Sequence, residues 1–313
     1  MFSDLKIFSG SANRQLATHI CETLGIGLSR LSVSRFSNDN LFVQIRENVR
    51  EKDVFVVQPF TAPVGDTIVE LFIILDALRS ASARRITAVI PYFSYARSDK
   101  KDAPRISITG RLMADLIRTA GADRVLTMDL HSDAVHGFFS IPVDHLTAIP
   151  YFVDHFRGRL NLDNAVVVAT DAGGAKRAGR FAERIQLPMA IIDKRRVADT
   201  EVVQGLVVGD VKGRDAIIFE DEISTGGTLA ASAKTLTAAG VQSIHVGATH
   251  GVLCGPAVKL LVDSPIESVA VTDTVSLPRD KQAEKIHILS VAPLFAEAIR
   301  RIHTGESVGA LFD

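Results

Sequence analysis

The sequence predicts an α/β protein of two units, each a mainly parallel sheet flanked by helices. Short apolar runs that suit buried strands alternate with longer stretches of helical period, the pattern of a parallel sheet covered on both faces. The alternation runs its course once before residue 147 and again after it. With 313 residues, 47% of them hydrophobic, the chain can fill two ordinary cores.

Taken in order, Leu5 to Phe8 reads as a strand feeding Ser9-Gly10-Ser11 and a helix that ends near Leu24. Further strands are expected at Leu31 to Arg35, Leu41 to Ile45 and Asp53 to Gln58. Ile68, Leu71, Phe72, Leu75 and Leu78 recur at helical spacing, which predicts a core-facing helix over Thr67 to Leu78. A strand at Thr87 to Ile90 precedes a second amphipathic helix, Ile108 to Ala120, closed by Gly121. Val125 to Met128 is a strand ending at Asp129-Leu130-His131. In the second half, strands are expected at Val166 to Ala169, Met189 to Ile192, Ala216 to Phe219, Ile244 to Ala248 and Ser268 to Val271, with a last helix near 292–302. This division predicts domains over 1–147 and 148–313, with the last helix a candidate to pack on the first.

Composition narrows the function classes. A formal charge of −1 gives no broad basic field for nucleic acid and no polybasic membrane anchor. Cys21 and Cys254 are far apart and in no metal-like spacing, which argues against a disulfide framework and against zinc. Apolar stretches are broken by Asp, Arg or Pro before they reach a membrane span, and MFSDLKIFSG lacks a signal-peptide layout. The expectation is a reduced, cytoplasmic protein.

The chemistry centres on Ala216 to Thr228, AIIFEDEISTGGT. An apolar strand is expected to stop at the acids Glu220, Asp221 and Glu222. Ser224-Thr225-Gly226-Gly227-Thr228 then leads into an Ala-rich helix that reaches about Ala239. Strand, small-residue loop and helix start form an anion cradle, because glycines let the backbone close in and the free N–H groups with the helix dipole favour phosphate. Carboxylates repel phosphate but accept hydrogen bonds from vicinal hydroxyls, so acids beside this loop describe a ribose 5-phosphate. The bland reading is an ordinary turn beside an exposed strand end; the order of strand, acids, loop and helix argues against it.

Parallel sheets bind ligands beyond the carboxyl ends of their strands, and four more segments sit there. Asp129-Leu130-His131-Ser132 carries a histidine that could equally be a structural residue bonded to backbone. Asp171-Ala172-Gly173-Gly174 repeats the acid and glycine pair at a helix start and suits a second phosphate group. Asp193-Lys194-Arg195-Arg196 reads either as a solvated loop or as a mobile cationic loop that closes over developing negative charge. Tyr95 to Lys101 is a positively charged strand end.

Arranged in this order, Y-A-R-x-D-x-K, D-L-H, D-x-G-G, D-K-R-R and E-D-x-x-x-T-G-G-T resemble the ribose-phosphate pyrophosphokinase, or PRPP synthetase, family. SASARRITAVIPYF, ADRVLTMDLHS and PMAIIDKRR add to the likeness, which extends from Ser9-Gly10 to Glu306-Ser307-Val308. The resemblance implies two phosphoribosyltransferase-like domains, ATP bound on the N-terminal side and ribose 5-phosphate on the C-terminal side. It implies transfer of the β,γ-diphosphoryl group of Mg-ATP to the 1-hydroxyl of ribose 5-phosphate, giving PRPP and AMP. Carried over motif by motif, Glu220 and Asp221 hold the ribose hydroxyls and Ser224, Thr225, Gly226, Gly227 and Thr228 hold the 5-phosphate. His131 and Asp171 bind Mg²⁺ or its water shell, Arg97 and Ser98 lie on the ATP side, and Lys194 and Arg196 belong to the catalytic loop. A homohexamer built from dimers, with phosphate or ADP regulation between subunits, is also implied by the resemblance alone.

The sequence departs from that family more on the nucleotide side than on the ribose side. The usual adenine-contacting F-S-D-G-E is here Phe36-Ser37-Asn38-Asp39-Asn40, two acids having become amides and the glycine an aspartate. Ser98 replaces the common Gln, Lys100 an Arg, Glu220 the first Asp of the acid pair and Ser224 the Asp of D-T-G-G-T. Two rival readings share these motifs. A phosphoribosyltransferase uses PRPP instead of making it but is ordinarily one domain, and a non-catalytic regulatory subunit would modulate an active partner.

Overall fold

The computed structural model describes residues 4–193, 196–198, 201–202 and 205–311. They divide into two compact units, one of residues 1–147, 274–276 and 290–313, the other of residues 148–273 and 277–289.

The first unit is a five-stranded parallel sheet. In chain order its elements are β1 (Leu5–Ser9), α1 (Arg14–Leu24), β2 (Leu31–Arg35), β3 (Leu41–Ile45), β4 (Asp53–Val57), α2 (Val64–Ser80), β5 (Arg85–Ile90), α3 (Thr109–Ala120), β6 (Arg124–Met128) and β7 (Val143–Leu146). The spatial order is β1-β4-β5-β6-β7, all pairs parallel. Every residue of β4 is buried, as an interior strand with both faces covered requires. Leu71, Ile74, Leu75 and Leu78 of α2 are fully buried against the sheet, and α3 presents Met113, Ala114 and Ile117. β2 and β3 stand apart from this sheet as an antiparallel hairpin, which the expectation of parallel strands did not separate out.

The second unit holds α4 (Ile149–Arg157), β8 (Ala165–Ala169), α5 (Ala175–Ile185), β9 (Met189–Asp193), β10 (Arg196–Ala198), β11 (Glu201–Val202), β12 (Leu206–Val208), β13 (Asp215–Ile223), α6 (Gly227–Ala238), β14 (Ser243–Gly251), α7 (Ala257–Val262), β15 (Ser268–Thr272) and β16 (Ile286–Leu289). Its seven-stranded sheet runs β12-β9-β8-β13-β14-β15-β16 and is parallel except for the β12–β9 pair. α4 comes close to β14 at Gly247, where a Cβ would stand 2.9 Å from Phe152 and 3.1 Å from Phe156.

One strand end differs from the sequence reading in a way that matters for the site. β13 does not stop at Phe219 but carries Glu220, Asp221 and Glu222 within it. The cause is unequal neighbours. β8 pairs with β13 only as far as Ile218, whereas β14 pairs on through Glu222 and Ile223, so the ladder on the β14 side holds the acids in extended geometry beyond the end of β8.

A final helix, α8 (Ala292–Thr304), belongs to the first unit. The fully buried Asp53 anchors it, bonding Arg85 at 2.6 and 2.8 Å and His303 Nδ1 at 2.8 Å. Arg85 also donates to the carbonyl of Ile302 at 2.8 Å.

Candidate active site

In the second unit the β13–α6 connection supplies the loop. Two bonds pin it to the segment after β14: Leu253 N–H donates to Ile223 O at 2.9 Å, and Cys254 N–H to Ser224 O at 2.8 Å. Gly226 then takes the left-handed region at φ +74, and α6 begins at Gly227. The N–H groups of the first turn have no partner inside the helix, while Thr225, Gly227 and Thr228 are exposed. These are the requirements of an anion cradle with hydroxyls at its mouth.

Immediately before the loop, the acids are held in a set pattern. Arg177 Nη1 stands 2.8 Å from Glu220 Oε2 and 3.0 Å from Asp221 Oδ1, and Thr170 Oγ1 donates to Glu220 Oε1 at 2.6 Å. Both carboxylates are largely buried, with side-chain exposures of 15% and 6%. Burial raises the pKa of Glu220, against the pull of Thr170 and Arg177; the charges of Asp221 and Asp171 push the same way as burial.

The neighbouring strand β8 ends in the second glycine loop. Asp171 Oδ1 accepts from the N–H of Gly174 at 2.8 Å, closing the turn before α5. A Cβ on Gly174 would lie 3.7 Å from Asp171 Oδ1 and 3.9 Å from Glu220 Oε1, so this loop stands beside the acid pair. Asp171 to Gly174, Glu220, Asp221 and Ser224 to Thr228 are thus gathered at the carboxyl ends of two adjacent parallel strands. The sequence reading missed Thr170 and Arg177. Arg177 follows D-A-G-G by one short helical step, and that placement was the only signal available.

The first unit carries the remaining residues. His131 is exposed just past β6, where Asp129 has φ +37 and Leu130 N–H donates to His145 Nε2 at 2.8 Å. Arg97 is exposed at the end of the single 3₁₀ turn after β5. Ser98 is tied up locally, its hydroxyl accepting from Thr109 N–H at 3.1 Å and donating to Ser107 O at 3.3 Å. Phe36, Asn38, Asp39 and Asn40 form the tip of the β2–β3 hairpin. Phe36 is 57% exposed and lies 5.5 Å from the Phe42 ring. Lys194 lies outside the described residues, and Arg196 is the first residue of β10.

Among the described residues no three His, Cys, Asp or Glu side chains form a ready metal cage. Glu220 and Asp221 already share the Arg177 guanidinium, which leaves Asp171 as the hard oxygen donor of the second unit. One carboxylate fits a magnesium ion arriving with phosphate and water ligands better than one held by protein alone.

The N-terminal domain of ribose phosphate pyrophosphokinase matches residues 5–121, and the phosphoribosyl synthetase-associated domain matches residues 200–313. A ribose-phosphate pyrophosphokinase of Deinococcus radiodurans is 51% identical, the match covering 99% of this chain and 98% of that protein. One of Rhodopirellula baltica is 48% identical over 99% of this chain and 98% of its own length. The crystal structure of phosphoribosylpyrophosphate synthetase from Mycobacterium smegmatis superposes with a TM-score of 0.92 at 38% identity, covering 97% of this chain and 100% of that one. With these similarities spanning practically its whole length, the chain belongs to the ribose-phosphate pyrophosphokinase family.

Proposed function

We propose that the protein is a ribose-phosphate diphosphokinase, transferring the diphosphoryl group of Mg-ATP to the 1-hydroxyl of ribose 5-phosphate. The observation that carries this reading is the contiguous acid pair and anion cradle on β13 and α6, which matches a sugar with hydroxyls at one end and phosphate at the other. Glu220 and Asp221 accept from ribose hydroxyls, and the N–H groups and hydroxyls of Ser224 to Thr228 hold the 5-phosphate. The 1-oxygen attacks the β-phosphorus, the bond from that phosphorus to the α,β-bridging oxygen breaks, and AMP leaves while the hydroxyl proton passes to solvent.

Such a transfer needs positioning and charge neutralisation more than a protein nucleophile. The loop from Asp171 to Gly174 receives the diphosphoryl group beside the sugar in this reading. Lys194 and Arg196 supply transition-state positive charge, and Arg97 meets the ATP phosphates. Phe36 offers a stacking face to the base, with Asn38, Asp39 and Asn40 at its edge. His131, on the first unit, and Asp171, on the second, are each candidates to hold Mg²⁺ or its water shell, and the ion bound with ATP would supply charge neutralisation at the phosphate oxygens.

In this reading the domain of residues 1–147 is the ATP side and that of residues 148–313 the ribose 5-phosphate side. No helix among the described residues is long and apolar enough to cross a membrane. The reading adds a cytoplasmic homohexamer built from dimers, with no nucleic-acid partner. Release of AMP from ATP, dependent on ribose 5-phosphate and Mg²⁺, is the test. A protein that releases none is a regulatory subunit, and one that consumes PRPP is a phosphoribosyltransferase.

A further inference from the structure

Three carboxylates stand at the carboxyl ends of β8 and β13: Asp171, Glu220 and Asp221. They form no ready three-ligand cage, but the two successive carboxylates of β13 would by themselves attract a hard divalent cation. A sugar hydroxyl is a neutral donor and competes poorly with a cation for the same lone pairs. The site therefore needs a device that keeps the pair available to hydroxyls, and a guanidinium already stands there. One nitrogen of Arg177 sits 2.8 Å from Glu220 Oε2 and 3.0 Å from Asp221 Oδ1, so oxygens of two successive residues converge on a single positive point. Thr170 takes the other Glu220 oxygen at 2.6 Å, which fixes the rotation of that carboxylate.

We propose that Arg177 is a positioning and specificity residue: it holds the place of a cation on the acid pair, orienting Glu220 and Asp221 for the ribose hydroxyls and keeping a bare divalent ion off them before the sugar binds. Its geometry fits the role. Arg177 rides on α5, the helix that the Asp171 loop starts, and so it is fixed relative to both carboxylate-bearing strand ends. Its side chain is 23% exposed, sheltered enough for the charge to count but open to incoming ligand. The two N–H groups of that one nitrogen lie in the fixed plane of the guanidinium and can serve one carboxylate each, and an ammonium replaces the charge but not that fixed direction.

This inference rests on the diphosphokinase reading for its kinetic half only; its binding half is read on substrate-free protein. Arg177→Met, Arg177→Lys and Thr170→Val are compared with the wild type by Mn²⁺ titration followed by electron paramagnetic resonance. Arg177→Met is expected to bind Mn²⁺ about tenfold more tightly or at an added site, as the loss of one charge-assisted contact implies. Arg177→Lys and Thr170→Val should stay near wild type, because each keeps a positive charge on the pair. In steady state, Arg177→Met should raise KM for ribose 5-phosphate by about tenfold, with free Mg²⁺ now competing against the sugar and kcat changed little. Arg177→Lys should recover most of that loss.

Unchanged Mn²⁺ binding in a folded Arg177→Met protein overturns the proposal, as does a fall in kcat at constant KM, which would make the arginine a transition-state group. If Arg177→Met does not fold, Arg177→Gln, which keeps hydrogen-bond donors but no charge, takes its place in both measurements, and unchanged Mn²⁺ binding there overturns the proposal. A wild type that releases no AMP refutes the diphosphokinase reading and leaves the Mn²⁺ comparison standing.

Discussion

Gly226 and Gly227 are neighbours in the same cradle, yet the structure demands glycine at only one of them. Gly226 sits at φ +74, and a Cβ there would approach Ala257 O to 3.3 Å, Ala257 Cα to 3.4 Å and Leu261 to 3.6 Å. Gly227 is the first residue of α6, and its Cβ would meet nothing nearer than Thr225 Oγ1 at 3.9 Å. Placing an L-residue in the left-handed region costs about 1–2 kcal/mol before any crowding against α7 is counted. Gly226→Ala should therefore lower the melting temperature of the second unit by about 2–8 °C, taking about 2–4 °C per kcal/mol for a domain of this size. If the loop relieves the strain by leaving its native turn, its N–H groups no longer converge. KM for ribose 5-phosphate then rises by about 5- to 30-fold, the same free energy expressed as affinity. Gly227→Ala should melt at or slightly above wild type, because alanine is the better helix former. Calorimetry with matched steady-state kinetics on both variants makes the comparison, and equal melting temperatures with equal KM values would refute the argument.

Lys194→Ala should remove most turnover, by about a hundredfold or more, while ribose 5-phosphate binding measured by calorimetry stays near wild type; full activity would show that the cationic loop is not catalytic. The amides at Asn38 and Asn40 should relax base choice, because an amide can accept or, once rotated, donate, whereas a carboxylate only accepts. The ratio of kcat/KM for ATP over GTP is then expected to rise in Asn38→Asp, Asn40→Glu, and an unchanged ratio would place base selection elsewhere. His155, with Arg159 and His287, lines a cleft of about 550 Å³. Burial, reinforced by the charges of Arg159, His287 and His245, lowers its pKa from 6.5 to about 4. The folded state thus resists a proton that the unfolded chain accepts, so this residue's effect appears as stability lost while pH falls from 6.5 towards 4. The urea midpoint of His155→Asn should fall less across that window than that of wild type, with a residual slope from His245 and His287, which are also shifted down. Parallel slopes would remove His155 from the account.

The elements legible in the sequence are those whose burial is uniform along one stripe or one run. α2 and α3 announce themselves by period, and β4 and β8 by unbroken apolar runs. β7 carried no such mark, because Asp144 and His145 interrupt it; each is satisfied from outside the strand, Asp144 by Arg124 at 2.5 Å and His145 by the N–H of Leu130. The polar end of β13 was misread for a related reason, its extension depending on β14 and not on its own residues. The cradle was legible since strand, acids, loop and helix are consecutive. Thr170 and Arg177 were not, reaching Glu220 across sequence separations of 50 and 43 residues. Contacts of that kind belong to the fold.

The same distinction explains how the departures from the family motifs are accommodated. At position 224 the contact that fixes the loop is made by the carbonyl, which accepts from Cys254 N–H, so serine can stand where relatives carry aspartate without disturbing the turn. At position 39, where the family motif has glycine, Asp39 takes the left-handed region at φ +68. Aspartate is one of the few L-residues enriched there, and Arg35 stabilises it further by donating to both its carbonyl and its carboxylate at 2.9 Å. Asn38 in turn uses its Oδ1 to accept from Asn40 N–H at 3.3 Å, closing the tip by a side-chain turn. The hairpin tip thus holds its shape by hydrogen bonds from its own side chains, with Phe36 left exposed beside them. If Phe36 stacks on the base as proposed, the polar groups at its edge are the amides Asn38 and Asn40, and the nucleotide edge is where specificity should depart from the acidic family motif.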